Sequence, residues 1–120
     1  MNRTLVASLL CLVFAPQALA NDYPTQARVE YVLSCMTANG GQSYDTLYPC
    51  VCSIDKIAQQ IKYADYVHAE TMSVMITTPG EKGGAFRDAP GARGMVKQFK
   101  NVREAAEQSC FVRRAAASTQ

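Results

Sequence analysis

A single histidine, no tryptophan and no apolar run beyond residue 15 long enough to cross a bilayer are the absences that narrow this chain. A spanning helix needs about 20 apolar residues, and the longest candidate, Leu5 to Ala15, falls short. One imidazole cannot build the two-histidine zinc sites common in enzymes. The formal net charge is only +2, which argues against a nucleic-acid partner, since that footprint is a basic patch or stripe. No Gly-Lys-Ser/Thr ending follows the glycine-rich stretch and no Cys-x-x-Cys-His occurs, so a phosphate-cradling loop and covalent haem are not expected.

The first twenty residues read as a cleaved secretory signal. Arg3 precedes the apolar stretch, and Ala18-Leu19-Ala20 supplies the small-x-small pattern accepted by signal peptidase before Asn21. Ser8-Leu9-Leu10 before Cys11 lacks the small residue of a lipid-attachment site, so no membrane anchor is expected. The expected product is one helical domain, residues 21–114, with a frayed tail at 115–120, located in the periplasm or secreted. At roughly 100 residues its core is modest.

Past the leader stand four cysteines: Cys35, Cys50, Cys52 and Cys110. An even set in an exported chain is read first as disulfides. Successive residues of an α-helix rotate by about 100°, so the side chains of Cys50 and Cys52 diverge by roughly 200° and address different neighbours. A bond between the two would close a very small ring. Two pairings remain open: Cys35 with Cys50 and Cys52 with Cys110, or Cys35 with Cys52 and Cys50 with Cys110. Either makes the central helix a hub.

Apolar residues recur at helical spacing in four segments. Thr25 opens the first, with Ala27, Tyr31, Val32 or Leu33, and Met36 on one side and Asn39-Gly40-Gly41 at its end. The second carries Leu47, Val51, Ile54, Ile57 or Ala58, and Ile61; Pro49 is tolerated only in a first turn, so this helix is expected to start near Tyr48 or Pro49. The third starts at Tyr63 or Asp65, with Val67, Glu70 or Thr71, Val74 and Met75 sharing a face. The last runs from about Arg93 with Met95, Phe99, Val102, Ala106 and Cys110 inward. Between them, Thr77 to Gly94 is rich in glycine and proline and reads as a long loop, of a kind often functional. No segment alternates with period two. The expected fold is therefore all-α, a disulfide-stapled bundle of about four helices.

Three groups of residues are candidates for function. The loop Gly80 to Asp88 joins Lys82 and Arg87 to Phe86, a combination suited to gripping a partner, and Tyr63 and Tyr66 beside Val67 form a second candidate contact patch against the alternative of a core edge. Cys50 and Cys52 could chelate a soft metal with Met36, Met72, Met75 or Met95, although methionine at helical spacing more often fills a core. His68 lies near Asp65 and Glu70, a possible general base lacking a nucleophile in recognisable context. Charge is divided: residues 21–81 hold three Lys/Arg against seven Asp/Glu, and residues 82–120 hold eight against three, read as helix faces that attract one another.

The runs Cys50-Val51-Cys52-Ser53-Ile54-Asp55, Tyr66-Val67-x-Ala69-Glu70-Thr71 and Gly80-Glu81-x-Gly83-Gly84-x-Phe86-Arg87-Asp88 resemble small exported proteins of unassigned role associated with bacterial periplasmic quinoprotein alcohol-oxidation systems. The resemblance implies no activity and no catalytic residue. Small disulfide-bonded helical proteins also resemble the immunity proteins that neutralise cell-wall amidase toxins. The expected function is non-enzymatic: an accessory that binds a periplasmic protein, possessing neither cofactor nor resident metal, and supporting a periplasmic oxidoreductase. The alternatives are a metal-binding or thiol-redox protein using Cys50 and Cys52, an immunity-type inhibitor, and a small hydrolase using His68 and Glu70.

Overall fold

The structure, a computed structural model, describes residues 21–112. The expected signal sequence and the tail at 115–120 lie outside the described residues. Five helices follow one another, α1 Thr25–Ala38, α2 Tyr44–Gln60, α3 Tyr63–Thr77, α4 Glu81–Arg87 and α5 Ala92–Ser109; no strand occurs among the described residues. The all-helical class stands, with one correction. The expected loop from Thr77 to Gly94 holds a helix of its own, α4, making five helices.

α2 is the central element. It packs against α1 on one side and α5 on the other, while α3 and α4 pack together and against α5. α2 also starts earlier than its proline suggests. Ser43 forms a capping box with Thr46: its hydroxyl accepts from the Thr46 N–H at 3.3 Å and its own N–H donates to Thr46 Oγ1 at 3.2 Å. The box fixes the first turn from Tyr44, and Pro49 lies within the helix. An interior proline costs about 3 kcal/mol; the cap and the bond from the adjacent Cys50 to α1 hold the turn against it.

The turn before α2 needs glycine. Gly40 and Gly41 have φ of 113° and 96°, accessible to them without a Cβ, and the Gly41 N–H donates to Met36 O at 2.8 Å, closing α1. At the other end, Asp22 and Tyr23 tie the start of the chain to the α2–α3 junction. The Asp22 carboxylate accepts from the Tyr63 N–H at 2.9 Å, supplying the cap that Lys62 lacks, and the Tyr23 hydroxyl donates to Ile61 O at 3.0 Å.

The core is built on Ile54 and Ile57, both essentially inaccessible, with Tyr31, Cys35, Met36, Cys50, Tyr66, Ala69, Phe99 and Ala106. Burying each isoleucine contributes about 1.5–3 kcal/mol. Tyr23 lies 5.2 Å from Tyr66 and 5.3 Å from Tyr63, and Tyr66 meets Phe99 edge-on at 5.5 Å, spacings typical of favourable aromatic pairs. Burial pushes the phenols of Tyr23 and Tyr66 well above their ordinary value, with Asp22 adding for the first and Glu70 for the second.

The face expected to be buried on α3 is corrected. Tyr66 and Ala69 point inward, whereas Val67, Val74 and Met75 are exposed. Tyr66 fills more volume between α3 and α5 than a valine can, and its ring sits on the stripe offset from Val67.

One polar cluster crosses the core. The Tyr31 hydroxyl of α1 shares a hydrogen bond of 2.8 Å with Ser53 Oγ of α2 and lies 3.4 Å from Glu107 Oε1 of α5. Arg103 donates from Nε to that carboxylate at 3.0 Å, and its guanidinium carbon stands 5.3 Å from the Tyr31 ring centre. Three helices are thus joined through groups that are all partnered.

Candidate protein-binding surfaces

Cys50 and Cys52 are bonded to different helices. Cys35 joins Cys50 with Cα atoms 5.9 Å apart, and Cys52 joins Cys110 at 5.8 Å. This is one of the two pairings the helical rotation leaves open. Cys35, Cys50 and Cys110 are buried, so no pair of thiolates faces solvent. Among the described residues no group of three or more His, Cys, Asp or Glu could hold a metal ion.

His68 is exposed on α3 and lines a cleft of about 450 Å³ between α3 and α5 with Asp65, Gln60 and Gln98. The nearby Glu70 carboxylate accepts from the Tyr66 hydroxyl at 3.2 Å. His68 and Glu70, two residues apart on one helix, diverge by roughly 200°.

The glycine-rich segment forms a fixed corner. Arg87, at the end of α4, donates to three carbonyls: from Nη1 to Ile76 O at 3.1 Å and Thr78 O at 2.9 Å, and from Nη2 to Gly80 O at 3.3 Å. These include acceptors at the end of α3, where helices leave carbonyls without intrahelical partners. Gly83 makes the close approach possible, because a Cβ there would fall 1.8 Å from Thr78 O. Arg87 and Gly83 therefore lock α4 onto α3.

Locking α4 turns Lys82 and Phe86 outward, both exposed, next to the last turns of α3 where Val74 is 65% exposed. The guanidinium of Arg93, in the first turn of α5, donates from Nε to Arg87 O at 3.1 Å. Arg93, Lys97 and Lys100 occupy exposed positions i, i+4 and i+7, one stripe of the helix. Among the described residues, salt bridges join Arg28 to Asp55 and Arg103 to Glu107, each within one half of the chain.

Of the five residues expected to contact a partner, the structure brings Lys82 and Phe86 to the surface of α4. Arg87 is engaged by the α3 carbonyls and Tyr66 lies in the core, with Tyr63 half-buried against Tyr23. Neither Arg87 nor Tyr66 is available as a surface contact in this fold, because each is already satisfied internally.

A second surface lies on α1 and α2. Between α1 and α2 runs a groove of about 450 Å³ lined by Val29, Val32, Leu33, Met36, Leu47, Val51 and Ile54 along its floor and walls, with Arg28 near one end and Gln42 near the other. Val29 and Leu33 are about half exposed. Tyr44 and Tyr48, stacked rings 6.2 Å apart and 75% and 68% exposed, share a helical stripe with Val51 of the groove. Sequence periodicity assigned Leu47 and Val51 to the core; Leu47 packs half-buried against it, whereas Val51 is exposed. The available signal was that Tyr44, Tyr48 and Val51 add a second apolar stripe beside the one holding Ile54 and Ile57, more width than two packed neighbours cover.

No family model, no curated protein and no solved structure matches this chain.

Proposed function

We propose that this is a non-enzymatic exported protein that binds another periplasmic protein, as an accessory to a periplasmic oxidoreductase, through the corner formed by α3, α4 and the start of α5. The observation that carries the reading is the rigid presentation of Lys82 and Phe86 by α4, which Arg87 and Gly83 hold in place. Side chains fixed before binding lose less conformational freedom when a partner arrives, and an aromatic beside a cation is a common interface anchor. The basic stripe of Arg93, Lys97 and Lys100 continues from this corner, so the partner's matching surface is acidic with an apolar centre. Two disulfides, and the absence among the described residues of any helix able to cross a membrane, accord with an exported protein.

Capture from an extract of the exported compartment tests the reading. Immobilised protein lacking residues 1–20 should retain a partner at low salt and release it at about 0.5 M salt, where the Debye length is a few ångströms. Lys82→Ala with Phe86→Ala should lose it, Arg87 being left intact because it holds α4. Retention by the double variant, or retention at high salt, would remove the proposal.

A further inference from the structure

We infer that the outer face of α1 and α2 is a self-association surface, and that a second copy of this chain is its occupant. α1 packs chiefly on α2 and meets α5 through Tyr31, and the groove side of the α1–α2 hairpin is uncovered. That side is apolar through its middle, with Val29 and Leu33 on α1 and Leu47 and Val51 on α2, and the exposed Tyr44 and Tyr48 extend it along the Val51 stripe. An isologous contact needs a patch that is complementary to itself. Two such hairpins stacked face to face about a two-fold axis form an antiparallel four-helix arrangement, in which aliphatic residues from both grooves make the shared core.

The positions along α2 suit that register. Tyr44, Tyr48, Val51 and Asp55 fall at i, i+4, i+7 and i+11, one stripe of the helix. Antiparallel stacking about a point between Tyr48 and Val51 sets each bulky Tyr48 against the second copy's smaller Val51. It also brings the Tyr44 end of one helix to the Asp55 end of the other.

The area also fits a dimer. An aromatic side chain buries roughly 150–250 Å² when covered, so Tyr44 and Tyr48 at their observed exposures offer on the order of 300 Å². With Val29, Leu33 and Val51 the patch is roughly 500 Å², a size at which exposed patches are often functional. Covering it in both copies buries about 1,000 Å², the lower limit for a specific interface. The association is therefore weak and reversible. It leaves the α4 corner free and does not depend on what that corner binds.

Sedimentation equilibrium of residues 21–120 between about 5 and 500 µM tests the inference. The mass should rise from one chain to two across that range. Leu33→Asp with Val51→Asp should remain a single chain throughout and keep the helical circular dichroism of the wild type at low concentration, both positions being partly exposed. Lys82→Ala with Phe86→Ala should dimerise as the wild type does. A wild type that stays a single chain to 500 µM overturns the inference, as does dimerisation that survives the two aspartates.

Discussion

Changing Tyr31 to phenylalanine removes one oxygen from the centre of the molecule and leaves the ring, so its cost isolates the polar cluster. Ser53 has no solvent access, and its one side-chain partner is the Tyr31 hydroxyl. A buried hydroxyl stripped of its partner costs about 1–3 kcal/mol. Glu107 keeps Arg103, and the guanidinium keeps the aromatic ring beneath it, so neither adds much. The reverse change is milder: in Ser53→Ala the Tyr31 hydroxyl still has Glu107 Oε1 at 3.4 Å and can shorten that contact, and the expected cost is about 0.5–1 kcal/mol. In Tyr31→Phe, Ser53→Ala no hydroxyl remains to be orphaned, so the double variant should lose less than the sum by about 1 kcal/mol. Urea unfolding of the oxidised protein, followed by circular dichroism, measures this. With a slope of about 1 kcal/mol/M, Tyr31→Phe should lower the midpoint by about 1–3 M. Additive single costs, or a larger loss for Ser53→Ala than for Tyr31→Phe, would refute the account.

The two disulfides close sequence separations of 15 and 58 residues, for which loop entropy predicts contributions of about 3 and 4 kcal/mol; melting of the two paired cysteine-to-alanine variants should place the one lacking Cys52–Cys110 lower, and wild type denatured without reductant should titrate no free thiol in residues 21–120. Gly83→Ala should destabilise strongly and detach α4, because a Cβ meets backbone 1.8 Å away, whereas Gly84→Ala, whose Cβ has only Arg87 Nη2 at 3.7 Å, should be neutral or up to about 1 kcal/mol stabilising from helix propensity; thermal melts rank the pair. Phe111 sits in the left-handed region with φ of 60° and is 84% exposed, so Phe111→Gly should melt higher than Phe111→Ala, the opposite of the order in a helix interior. Alkali should destabilise the protein from about pH 10 upward: burial raises the folded-state pKa of Tyr23 and Tyr66, so stability is full below the unfolded value near 10 and falls as pH rises toward the folded one. Tyr23→Phe should shrink that fall in melting temperature between pH 9 and 11.

The helices around Tyr31, Ile54 and Phe99 were legible because their apolar residues recur at the helical period. The disulfide pairing was legible only to two alternatives, since the divergence of Cys50 and Cys52 says they reach different helices but not which lies on which side. The glycine-rich segment was misread for a physical reason. Glycine signals freedom in a chain viewed locally, yet Gly83 is there because α4 approaches the Thr78 carbonyl too closely for any side chain. Likewise Val67 and Val74 look like a core stripe because hydrophobicity does not record that Tyr66, one position earlier, packs against Phe99. Arg87 gave no sign of being a cap, since its acceptors lie seven to eleven residues away in sequence.

The two disulfides leave opposite sides of one short stretch, and this gives the oxidised chain a definite covalent topology. The first bond closes a ring over residues 35–50 and the second a ring over 52–110. The rings follow each other in tandem, with Val51 as the only residue between them. A protease that cuts once between Cys35 and Cys50, or once between Cys52 and Cys110, opens a ring but frees no fragment until reductant is added. A cut at Val51 separates the chain into two pieces, each still cyclic. In the other pairing the rings would overlap at that point and hold the pieces together. Between Cys35 and Cys110 the protein thus tolerates nicking, including at the exposed α4 corner, and concentrates its covalent continuity there in a single valine.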